Sequence, residues 1–228
     1  MEVFEYTNKG CREENQDYVV HGSLPYGASI YIIADGMGGY SNGAIASKTV
    51  GDAIFDFVEL NITQYEPSKL LKEAISFAND SLMLKRLALG AKKMGCVIAI
   101  LLILDEYAYI SWLGDSRIYM FRNSKEVYRT EDHSILNEMT KVKTLHPSNY
   151  EKYSSIVTKS IMGCEVVDVA PIKRIKVESG DVFILCSDGF YKEVEIRKAL
   201  DFNSRLSEYL DGLASYVSDN YSLIKVAL

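Results

Sequence analysis

Four aspartates in this chain stand where an apolar segment meets a glycine or a turn: Asp35 in IIADGMGG, Asp115 in SWLGDSR, Asp188 in FILCSDGF and Asp219 in SDNYSLI. A strand end fixes the direction of a side chain, and a neighbouring glycine lets backbone or ligand come close. Carboxylates gathered in one place repel one another strongly unless a cation lies between them. Donors that are all oxygen suit Mg²⁺ or Mn²⁺ rather than Zn²⁺. Asp-Gly is also a frequent turn dipeptide, and each of these sites taken singly reads as a turn. Four together, each joined to an apolar strand, read as a metal-binding constellation, although spacing alone leaves open whether they meet in space. His21, His133 and His146 are scattered and form no His-x-x-x-His pair, so they read as surface or structural residues.

The elements that must position these residues can be read from hydrophobic period. SIYIIAD, ending at Asp35, is a short apolar run of the kind that forms a buried strand. Two helical patterns follow, one with Ala46, Val50, Ala53 and Phe57 on a face, the other opened by Pro67 and Ser68 with Leu71, Ala74, Ala78 and Leu82 in line. CVIAILLIL, YAYISWL and SRIYMFRN, separated by short polar breaks, predict an antiparallel meander. From Ser134 to Ser160 the chain is polar and irregular, with a short helix expected at Ser134 to Thr140; long loops of this kind are often functional. DVFILCS predicts a strand ending at Asp188, followed by helices around Val194 to Leu200 and Ser204 to Tyr216, and YSLIKVAL closes the chain as a strand. Helices packed on the faces of largely antiparallel sheets make an α+β arrangement.

The chain has 228 residues, of which 48% are hydrophobic and 25% charged, an ordinary globular balance that argues against disorder. With no repeat and no linker, residues 1–228 are read as a single domain, long enough to hold a core without staples. The formal charge of -6 and the absence of a basic block argue against nucleic acid, whose phosphates demand a positive patch. Cys11, Cys96, Cys164 and Cys186 form no CxxC pair and read as free thiols in a reducing compartment. MEVFEYTNKG lacks a signal-peptide pattern, and the longest apolar run, Val97 to Leu104, is far too short to span a membrane. The expectation is a soluble, cytoplasmic protein with no membrane partner.

Six short motifs, in order and spread over nearly the whole chain, resemble those of the metal-dependent protein phosphatases, the type 2C Ser/Thr phosphatases, in their short bacterial-like form. They are CREENQD (Cys11 to Asp17), ADGMGG, LGDSRIY, TEDHS, GDVFILCSDGF and SDNYS. The resemblance implies two packed antiparallel β-sheets flanked by helix pairs, an α-β-β-α sandwich, with a centre for two Mn²⁺ or Mg²⁺ ions at one edge. By the same resemblance Asp35 bridges the two ions, Asp188 and Asp219 complete the first ion's ligands, the Gly36 carbonyl binds the second, and Asp17 holds its waters. Asp115, with Asp188, matches the position of a weaker third ion, and Arg12 grips the substrate phosphate. Two cations about 4 Å apart lower the pKa of a bridging water and supply hydroxide at neutral pH. Arginine offers phosphate a planar, two-pronged donor fork. The implied activity is hydrolysis of phosphoserine and phosphothreonine in proteins, opposing a Ser/Thr kinase, by a monomer.

Some positions depart from the family pattern. Gln16 replaces a usual Glu and removes a negative charge near the second ion. Met37 stands where animal relatives carry His, Cys96 and Val97 replace a small residue and Thr, and Ser222 replaces Thr. Gly38 and Gly39 read as backbone-permissive turn residues rather than ligands. None of these changes removes an implied metal ligand. The competing reading is a catalytically weak pseudophosphatase that binds a phosphoprotein or partner; the retained carboxylates and Arg12 speak against it. No Asp-x-Asp-Gly-Thr motif, GxxxxGK[ST] loop or twelve-residue Ca²⁺ loop is present.

Overall fold

The computed structural model describes residues 1–37, 42–142, 153, 156–201 and 205–228. Gly38, Gly39 and His146 lie outside them, as does much of the irregular stretch before Ser160. Among the described residues, ten strands form two five-stranded antiparallel sheets. One sheet has the order β2 (Asp17–Ser23), β3 (Ser29–Gly36), β4 (Cys96–Leu104), β5 (Tyr107–Leu113), β8 (Ile172–Lys176). The other runs β1 (Glu2–Asn8), β10 (Tyr221–Ala227), β9 (Val182–Cys186), β6 (Arg117–Arg122), β7 (Lys125–Arg129). Helices α1 (Gly43–Asn61) and α2 (Pro67–Ala88) cover the first sheet. The short helices α4 (Asp188–Glu193), α5 (Ile196–Asp201) and α6 (Leu206–Asp211) follow β9, and residues from all three pack on the second sheet. The four layers are those of the expected α-β-β-α sandwich.

The two-residue period of a strand explains how the layers are filled. Ile30, Ile32 and Ala34 of β3, with Ile98, Ile100 and Leu102 of β4, face the helices. Tyr31 and Ile33, with Ala99, Leu101 and Ile103, face the opposite sheet, where they meet Ile118, Met120, Phe183, Leu185, Ile224 and Val226. A strand buried on both faces needs apolar residues at every position, which is why CVIAILLIL shows no alternation. A third cluster, centred on Phe190, Tyr221 and Leu223, packs the second sheet against α4–α6. Helix α2 starts at Pro67 with the Glu66 side chain accepting from the backbone N–H groups of Ser68 and Lys69.

The expected three-strand meander is only partly correct. β4 and β5 pair, but the chain then crosses the sandwich at Gly114–Ser116, and β6 joins the second sheet beside β9. Gly114 makes that crossing at φ +102, and a side chain there would collide with Val97. Helix boundaries also shift. The helix expected from Val194 is preceded by α4, which begins at Asp188 itself, and the one expected over Ser204 to Tyr216 is helical only at Leu206–Asp211, with turns beyond. Helix α3 occupies Ile135–Val142, one residue later than expected at its start. All four cysteines are unpaired; Cys96 and Cys186 are buried, Cys11 and Cys164 exposed. No helix among the described residues is long and apolar enough to cross a membrane.

Candidate metal centre

Strand parity aims the first carboxylates. Asp35 follows Tyr31 and Ile33 on the face of β3 that looks toward the other sheet, and Asp17 is its register partner across β2 and β3. Both therefore stand between the sheets at one end of the sandwich. The second sheet supplies the facing side: β9 ends at Cys186, Asp188 opens α4, and Asp219 with Asn220 precedes β10. Gly189 fits against the Asn220 carbonyl, where a side chain would be excluded, so the two segments lie against each other. Asp115 arrives on the crossing between β5 and β6. A cleft of about 610 Å³ opens here, lined by Arg12, Asp35, Gly36, Asp115, Asp188 and Asp219 among others. Every residue expected at the site lies on this cleft except Asp17, which is buried at 7% exposure.

The carboxylates feel one another. Asp35, part of whose surface meets the cleft, is nevertheless set deep enough that its surroundings push its carboxyl well above the usual range; burial is the main cause, followed by the charges of Asp17, Asp188, Asp115 and Asp219. Asp17 is raised to about 7 by burial, against hydrogen bonds from Ser222 and Ser187, with the charges of Asp188 and Asp219 adding to the rise. Asp115, 6% exposed, is likewise raised to about 7 by burial and by Asp188, while Lys192 pulls it down. Ser187 Oγ donates to Asp17 Oδ2 at 2.7 Å, but Asp17 Oδ1 is buried without a hydrogen-bond partner.

Two cations already reach into this group. Arg12 Nη2 donates to Asp219 Oδ2 at 2.8 Å, and Lys192 Nζ to Asp188 Oδ2 at 2.6 Å. Asp219 Oδ1 also accepts from the N–H of Asn220. With Asp188 and Asp219 so engaged, no three His, Cys, Asp or Glu side chains among the described residues stand in a ligating arrangement about a common point. The residues nonetheless fit divalent ions. The donors are all oxygen, a buried carboxylate oxygen lacks a partner, and the mutual repulsion of Asp17, Asp35, Asp115, Asp188 and Asp219 is what a bound cation relieves.

A framework of neutral contacts holds the loop that carries Arg12. Asn220 Oδ1 accepts from the Gln16 N–H at 2.9 Å, and its Nδ2 donates to the carbonyls of Lys9 and Glu14 at 3.0 and 2.9 Å. Gly10, at φ +56, lets the loop press on the backbone of Val217 and Asp219, and the Cys11 N–H bonds Val217 O at 3.0 Å. Gly36 N–H bonds Gln16 O, and Ser47 Oγ donates to the same carbonyl at 2.6 Å. The Gln16 side chain lies against Gly43 at the start of α1 and lines the cleft with Met37. On the far side, Arg117 grips Asp132 with two bonds of 2.8 and 2.7 Å and lies 3.6 Å over the Tyr191 ring. His133 brackets Gly114, its ring Nδ1 accepting from the Gly114 N–H at 3.3 Å and its backbone N–H donating to Gly114 O at 2.9 Å. LGDSR and TEDHS are thus two halves of one brace around Asp115. Sequence reading found the two motifs but not the roles of Asn220, Ser187, Arg117 or Lys192. Adjacency to Asp219 and Asp188, and for Lys192 the i, i+4 spacing from Asp188, were the signals available.

The chain matches the model of the protein phosphatase 2C family over residues 11–225. The protein phosphatase PhpP of Streptococcus pneumoniae is 31% identical over 238 residues, spanning 100% of this chain and 96% of that relative. Among solved structures, the serine/threonine phosphatase of S. agalactiae superposes with a TM-score of 0.82 at 28% identity, covering 100% of this chain and 99% of the other. The catalytic domain of the serine threonine protein phosphatase PstP, in complex with two manganese ions, superposes with a TM-score of 0.81 at 22% identity, covering 98% and 96%.

Proposed function

This chain belongs to the protein phosphatase 2C family, and we propose that it hydrolyses phosphoserine and phosphothreonine in proteins at the cleft between its two sheets. The observation that carries the reading is the meeting of Arg12 with Asp35, Asp115, Asp188 and Asp219 on one cleft, above the buried Asp17. Asp35, Asp188, Asp219 and the Gly36 carbonyl would hold two divalent ions, Mn²⁺ or Mg²⁺, with Asp17 behind them ordering their waters. When bound, such ions supply an activated water and offset the negative charge of the reacting phosphoryl group.

The chain's own residues do the rest. Arg12 is exposed at the mouth of the cleft and tethered to Asp219, which fixes the guanidinium beside the carboxylates. There it provides positive charge for an incoming dianion that the aspartates alone would repel. Asn220 holds the Arg12 loop to the start of β10, so that phosphate recognition and the Asp219 carboxylate share one rigid support. Ser187 keeps one oxygen of Asp17 engaged and so orients the other. Met37, Val97 and Val157 give the otherwise polar cleft its apolar lining. Phosphoprotein substrates made by a Ser/Thr kinase would present their dianion to Arg12 at this cleft.

Turnover of a phosphothreonine peptide, measured with the metal-stripped protein before and after Mn²⁺ addition, tests the reading. Activity should appear with Mn²⁺, vanish with chelator, and fall by several orders of magnitude in Asp35→Asn and Asp219→Asn. Equal hydrolysis after exhaustive chelation would refute the metal mechanism. Tight peptide binding without any turnover would instead establish a pseudophosphatase.

A further inference from the structure

Asp115 and Asp188 share the part of the cleft where family resemblance places a third, weaker ion, but they do not share it alone. Lys192 lies one helical turn beyond Asp188 on α4, and that i, i+4 spacing brings its Nζ to 2.6 Å from Asp188 Oδ2. The ammonium also acts electrostatically on Asp115 and Asp219. Asp188, its side chain 21% exposed, lines the cleft, and Lys192, 38% exposed, reaches it from the solvent side of α4. The oxygen it engages is a lone-pair donor that a metal at this position would need. Lys192 thus engages one of the two carboxylate oxygens of Asp188.

Resting on the reading of the cleft as a divalent-cation centre, we infer that Lys192 is a built-in cation that takes the place of the third ion at the Asp115–Asp188 pair, so that this chain holds two divalent ions and no more. A divalent ion entering there would have to displace a hydrogen-bonded ammonium from Asp188 and lie in contact with its positive charge. Lys192 is a positioning residue on this account. It neutralises the outer carboxylates at every metal concentration, whereas a weak ion would do so only when metal is plentiful. The dependence of rate on Mn²⁺ therefore saturates once two ions are bound, with no later phase at millimolar metal.

The test counts bound ions. Metal-stripped full chain is titrated with Mn²⁺ into the millimolar range, with free Mn²⁺ read by electron paramagnetic resonance. Wild type and Lys192→Arg should bind two ions, Lys192→Gln and Lys192→Met three, and Lys192→Gln combined with Asp115→Asn two again. Near-ultraviolet circular dichroism checks that the variants keep native packing; two neutral replacements and one charged one keep the comparison open if a single variant misfolds. Three ions in wild type, or only two in both folded neutral variants, would overturn the inference while leaving the two-ion centre intact. No ions in wild type would remove the centre and the inference together.

Discussion

Stripping the metal should make this protein lose stability as pH rises from mildly acidic to neutral. Asp17 and Asp115 are almost fully buried, and in the folded chain their carboxyls titrate near 7 instead of the ordinary 3.8. Between those two values the folded state binds more protons than the unfolded state, so stability declines as pH rises, and the loss is complete above about 7. At about 1.4 kcal/mol for each tenfold in proton affinity, the share of one such carboxylate is about 4 kcal/mol. For a domain of this length that corresponds to a fall in Tm of roughly 10 °C. His133 works in the opposite direction: burial, and then the charge of Lys159, hold it below its ordinary 6.5, so its contribution weakens as pH falls below that value. Asp17→Asn separates the two effects, because it removes one carboxylate and leaves the histidine. The assay is thermal unfolding of chelator-treated wild type and Asp17→Asn from pH 4.5 to 7.5, repeated with Mn²⁺. Wild type should fall steeply and the variant less so, and Mn²⁺ should reverse the fall at pH 7.5. Equal slopes for the two proteins would show that Asp17 carries no such burden and would refute the argument.

Arg12→Ala should raise KM about tenfold or more for a phosphopeptide, with Arg12→Lys recovering part of the loss, since lysine supplies charge without the fork. Freed of its ion pair, Asp219 should bind Mn²⁺ as well as before or slightly better, as calorimetric titration will show; a large loss of metal affinity would mean that Arg12 organises the aspartates instead. Asn220→Ala breaks three hydrogen bonds to the Arg12 loop, at a cost of about 1–3 kcal/mol in chemical unfolding. Its kcat/KM should fall by about tenfold to a hundredfold with the number of bound Mn²⁺ ions unchanged; undiminished kcat/KM would show that the loop needs no such anchor.

The strand ends were legible because each combines an apolar run with a sharp stop, and the buried run of β4 announces a strand covered on both faces. The layer order was legible only through family resemblance, since nothing in YAYISWLGDSRIYMFRN says that the chain changes sheets at Gly114. Local period cannot distinguish a hairpin from a crossing: the hairpins turn on Asp105, Asn123 and Ser124 at positive φ and the crossing on Gly114, and each is only a short polar break between apolar runs. Strand β1 went unread because Glu2–Asn8 is apolar on neither face for long; its pairing comes from β10, far away in sequence. The carboxylates were found by type and position, but their partners were not. Arg12 meets Asp219 across 207 positions, and Ser187 meets Asp17 across 170. Lys192 is the exception: four residues from Asp188 on a helix, it could have been found from the sequence.

The pairing of β1 with β10, from Glu2 opposite Ala227 to Asn8 opposite Tyr221, sets the order in which a nascent chain can become an enzyme. Asp17, Asp35 and the Arg12 loop leave the ribosome early, yet the strand that completes their surroundings is made last of the ten. Until β10 has emerged, β1 and β9 each present an unpaired edge, and Asn220 is not there to anchor the Arg12 loop. The early segments must therefore wait with apolar surface exposed, a state that favours capture by chaperones and misassociation between neighbouring chains on one message. In a chain built this way the surroundings of the cleft are complete only once β10 has paired with both β1 and β9.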